Sequence, residues 1–145
     1  MPVETQLVPW NFKAPVNFYS DVRFWAANGP VMQIPYLFTA MTGTSVSSGS
    51  LIPAGSIVIG VTVRVMTAIQ GASGFRVGTA THVDRWASNV ANAVDSTNSI
   101  QNFAESYVPY AQGSTSVVLT ANTNPFTAGS VKVLAYYIYL APPEP

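Results

Sequence analysis

The chain is poor in side chains that carry covalent chemistry. It has one histidine, no cysteine, and six acidic against six basic residues in 145 positions. The histidine, His82, stands two positions before Asp84, and Ser73, Thr81 and Ser88 lie close enough in sequence for a Ser-His-Asp triad to be drawn. An extended segment puts residues two apart on one side but about 7 Å from each other, beyond direct hydrogen bonding unless a turn intervenes. No Gly-x-Ser-x-Gly elbow lifts a serine onto a strand-to-helix turn. A single histidine with scattered carboxylates gives no ligand set at a recognised metal spacing. Without cysteine there is no disulfide, thiolate zinc site, iron–sulfur cluster or thiol nucleophile. These residue types predict no enzyme, no metal and no cofactor, and Asp84 with Arg85 reads as a local surface pair beside Trp86.

The remaining resources are for binding. Charged residues make up 8% of the chain, against about 25% in an average soluble protein. Either uncharged polar groups hydrate the surface, as the Ser-, Thr- and Asn-rich runs at 42–50 and 89–102 would allow, or partner subunits cover much of it. Aromatics at 12% exceed what one small core requires, which favours a subunit of an obligate assembly. Zero net charge and the lack of a basic cluster argue against nucleic acid and against a polybasic membrane patch. The N-terminus shows no positive segment followed by an apolar one, and no apolar run reaches the roughly 20 residues of a spanning helix, so neither secretion nor membrane insertion is expected. Trp86, Tyr107, Tyr110 and the group Tyr136, Tyr137 and Tyr139, with Tyr137 foremost, are candidates for stacking on glycans or for an interface.

The elements that would position these groups are strands. Residues 1–30 carry Pro2, Pro9, Pro15 and Pro30, with Trp10, Phe12, Phe18, Tyr19, Phe24 and Trp25 among them. Proline fixes φ and removes a donor, so this stretch reads as an extended arm. It serves either as edge strands of its own domain or as aromatic anchors on a neighbour. Residues 31–145 read as one β-sandwich or jelly-roll domain, long enough to bury about two-thirds of its unfolded surface. Pro35 marks the strand from Val31 to Ala40 as an edge strand or a bulged one. The polar stretch from Met41 to Ser50 reads as a loop. Ile57, Ile59, Val61, Val63 and Val65 alternate as one core face of a long strand, and Gln70 to Gly74 suggests a hairpin into a second strand at Phe75. Val83, Trp86, Val90 and Val94 fall near helical spacing, so a helix or an irregular excursion is expected there. Tyr107 to Tyr110 is extended, Ser116 to Ala121 is a strand, and Val131 to Leu140 closes the domain with β residues on both faces. Short strands at intervals of roughly 8–15 residues, divided by Gly, Pro, Ser and Asn turns, describe an all-β fold.

Certain runs carry a family likeness. The stretch Leu51-Ile-Pro-Ala-Gly-Ser-Ile-Val-Ile-Gly-Val-Thr-Val-Arg-Val65 is followed by Thr67-Ala-Ile-Gln-Gly-Ala72, Phe75-Arg-Val-Gly-Thr-Ala80 and Asp84-Arg-Trp-Ala87. Later come Leu119-Thr-Ala121, Phe126-Thr-Ala-Gly129 and the closing strand from Val131 to Leu140. Together, from Leu51 to Pro142, these resemble the C-terminal β-domain of phage and gene-transfer-agent head-spike or tail-fibre proteins. Those proteins are usually longer, with the domain appended at the end. A short form with an aromatic arm is similar to the decoration, or cement, proteins of phage capsids, which are commonly trimers. The resemblance implies a virion structural protein on the particle surface, assembled in the host cytoplasm, with itself (a homotrimer) and the major capsid protein as partners. Its alternative implication is a host-glycan binding module of a head spike or tail fibre. The shared motifs are structural punctuation and imply no catalytic residue.

Overall fold

The computed structural model describes residues 31–98 and 113–139, which form seven strands and no helix. The strands are β1 (Val31–Phe38), β2 (Ser45–Ser47), β3 (Ser56–Gln70), β4 (Gly74–Gly78), β5 (Ala87–Ala91), β6 (Val118–Asn122) and β7 (Ala128–Tyr139). They make a three-stranded sheet in the order β1-β7-β3 and a four-stranded sheet in the order β2-β6-β4-β5. Side chains from both sheets enter one buried cluster. Val58, Val61, Val63, Val65, Val131, Val133 and Ala135 come from the first, and Phe75, Val77, Val90 and Leu119 from the second. The fold is an all-β sandwich, as the spacing of strands and turns anticipated.

Local patterning succeeds where burial is one-sided. Among the described strands β1 lies at an edge, consistent with Pro35 having no N–H to give a second neighbour. β7 is the middle strand of its sheet, and its inward residues Val131, Val133, Ala135 and Tyr137 alternate with half-buried Leu134, Tyr136 and Ile138.

Four expectations are corrected. The core face of β3 is not the continuous alternation from Ile57 to Val65. Val58, Val61, Val63 and Val65 are buried, and Ile57 and Ile59 are only half-buried. Opposite β7, the step from Val58 to Gly60 answers a single step from Tyr137 to Tyr136, so Ile59 is an extra residue. Such a bulge reverses which side each later residue faces. β3 and β4 do not form a hairpin either, because β3 pairs with β7 while β4 pairs with β5 and β6. At the crossing, Gly71 has φ of +88° and sits against the Pro125 carbonyl where a Cβ would collide, so the chain passes to the other layer instead of folding back.

No helix spans His82 to Val94; a turn leads into β5. Trp86 and Val90 are buried together, and a separation of four satisfies both the helical and the strand period, which is why the spacing misled. Finally, the polar stretch after Met41 contains β2, where Val46 packs on the core between outward Ser45 and Ser47. Its pairing with β6 supplies the order that its composition does not.

The edge of β3 away from β7 is closed by residues 92–98. The Val65 N–H donates to Ser96 O, the Asp95 N–H to Val65 O and the Ile69 N–H to Asn92 O, each at 2.9 Å. Asn98 completes the seam with its side chain. Its Oδ1 accepts from the Val63 N–H at 2.7 Å, and its Nδ2 donates to Val61 O at 3.0 Å and Trp86 O at 3.2 Å. Because Trp86 leads into β5, this one amide ties the two sheets together. Asn98→Ala should lower the unfolding free energy by about 1–3 kcal/mol, the usual cost of leaving part-buried backbone groups unpaired. The check is a denaturant midpoint that falls while the slope stays constant.

Candidate functional site

Of the hydroxyls drawn above with His82, Thr81 meets it and Ser73 goes to another partner. His82 is exposed and its Nδ1 lies 3.1 Å from Thr81 Oγ1, while Ser73 Oγ lies 3.0 Å from Thr123 Oγ1. Neither contact joins His82 to Asp84 or to Ser73. Among the described residues, no three metal-ligating side chains gather in one place.

Two of the aromatic candidates are corrected. Trp86 is 4% exposed and Tyr137 5% exposed, both within the hydrophobic cluster. Tyr137 falls on the inward phase of β7, and Trp86 is drawn inward because its N–H bonds Val77 O at 2.8 Å, at the mouth of the β4–β5 pair. Neither offers a ring face to a sugar. Tyr107 and Tyr110 lie outside the described residues, as do the proposed arm and its Trp10, Phe12, Phe18, Tyr19, Phe24 and Trp25.

What the fold builds is a contrast between its two outer faces. On the four-stranded sheet, the residues alternating with the core are Ser45 and Ser47 on β2, Thr120 and Asn122 on β6, Gly74, Arg76 and Gly78 on β4, and Asn89 on β5. Asn122 Nδ2 donates to Asn89 Oδ1 at 2.7 Å across the sheet. A shallow groove of about 360 Å³ on this side is lined by Ser45, Ser47 and Ser116 together with Ala80, Val83 and Val118. Uncharged polar groups predominate on this face, with Val118 among them.

The outer face of the three-stranded sheet is the opposite case. β7 sends out Leu134, Tyr136 and Ile138, β3 contributes Ile57 and Ile59 beside its bulge, and Met66 is 47% exposed farther along. On β1, the residues alternating with inward Ile34, Tyr36 and Phe38 include Val31 and Leu37, the latter 50% exposed. Charge enters at one end only, where Arg64 and Lys132 stand opposite each other in the β3–β7 register. Asp95 reaches Arg64 at 3.7 Å, with both side chains largely in solvent, a pair worth little by itself. An open groove of about 420 Å³ runs here between Thr62, Arg64, Met66, Thr97, Lys132 and Leu134. Leu134, Tyr136 and Ile138 are half-buried, while Leu37 and Met66 at the margins are exposed. The sequence held the signal in Leu134, Tyr136 and Ile138, on the phase of β7 opposite its valines. The glycan reading had instead singled out Tyr137, one position out of phase.

No protein-family model matches the chain, and no curated protein matches it. Two solved structures are similar. One is the cyanophage Pam1 capsid asymmetric unit, at 23% identity over 76% of this chain and 84% of that chain, with a TM-score of 0.48. The other is the acid-stable capsid of Helicobacter pylori bacteriophage KHP30, at 13% identity over 77% of this chain and 89% of that one, with a TM-score of 0.46. Likenesses at this level leave the role of the present chain to be argued from its own surfaces.

The two phases of β7 should respond oppositely to charge. Val133→Lys places an ammonium in the core and should prevent folding, because an unpaired buried charge costs more than a domain's margin of stability. Leu134→Lys, one position along, should fold with a melting temperature within a few degrees of the parent. Thermal unfolding followed by circular dichroism compares the two.

Proposed function

We propose that this chain is a structural subunit of a phage virion, a capsid decoration or cement protein, and that it does no covalent chemistry. One observation carries the reading: a sheet whose outer phase bears Leu134, Tyr136, Ile138 and Ile57, in a protein whose other sheet turns mainly serine and asparagine outward. The resemblance of residues 51–142 to virion β-domains supplies the setting. Burying apolar surface stabilises a contact by about 25 cal/mol per Å², and a symmetric shell repeats a weak contact many times, so that modest affinity per copy suffices. Residues 1–30 would add proline-stiffened aromatic anchors on neighbouring subunits. The partners on this reading are further copies of the chain, as trimers in the proteins it resembles, and the major capsid protein. Nucleic acid and membrane have no part in it, and the site of action is the particle surface after assembly in the host cytoplasm. The alternative, a host-glycan module of a spike or fibre, loses Trp86 and Tyr137 to the core and keeps half-buried Tyr136 and exposed Tyr139 among the described aromatics.

Virions lacking the chain should release their genome at a lower temperature than complete ones. Adding back the full chain should restore the difference, and a version without residues 1–30 should bind weakly or not at all. Particles whose heat stability is indifferent to the chain's loss would rule out cementing. Attachment unchanged by the truncation would rule out the arm.

A further inference from the structure

We draw no further inference here: the strongest candidate, the half-buried apolar row of Leu134, Tyr136 and Ile138 on the outer face of the three-stranded sheet, carries none because nothing in the structure shows what covers it.

Discussion

The long antiparallel ladder between β3 and β7 is the constraint on which the rest of the molecule depends. It joins Ser56 through Gln70 to Tyr139 through Ala128, pairing segments that lie far apart in the chain. Such non-local pairing is entropically slow to close and is rewarded only when both strands bury a face at once. Val58, Val61, Val63 and Val65 on one strand and Val131, Val133, Ala135 and Tyr137 on the other meet that condition. A slip of one residue would drive Lys132 and Arg64 inward, so the register is held by what each phase cannot tolerate. Every other feature takes its place from this ladder. β1 adds to the free side of β7, residues 92–98 close the free side of β3, and the four-stranded sheet covers the valines.

Because the ladder has a core phase and an outer phase, the same pairing that builds the interior also sets a half-buried apolar row on its other side. Leu134, Tyr136 and Ile138 are held in a row only because Val133, Ala135 and Tyr137 are anchored beneath them. The bulge at Ile59 adds to the effect by turning two isoleucines away from the centre of the core. The low charge of the chain has the same origin seen from the other side. The outer phase of the four-stranded sheet carries Ser45, Ser47, Asn122 and Asn89, uncharged polar groups that need no ions beside them.

Much of the fold was legible in the residues. The closing strand announced itself by β-branched and aromatic residues on both phases, the edge position of β1 by Pro35, and the all-β class by short strands between turn residues. The candidate surface was legible only in part: the tyrosines of β7 were noticed, but Tyr137, on the wrong phase, was favoured over Tyr136. Local spacing also misled at Trp86 and Val90, where a separation of four suits helix and strand alike, and at Gln70 to Gly74, where a turn of hairpin length crosses between sheets.

The sequence by itself determined that alternating apolar residues would form strands and roughly where those strands would break, because these are properties of residue types and of short-range periods. Tertiary structure alone decided which strand pairs with which, that a bulge at Ile59 reverses a face, that Trp86 is interior, and that one outer face is apolar while the other is polar. Those outcomes depend on which distant segment fills the space beside each strand, and a period of two states only that a strand has two sides, never which of them will find a partner.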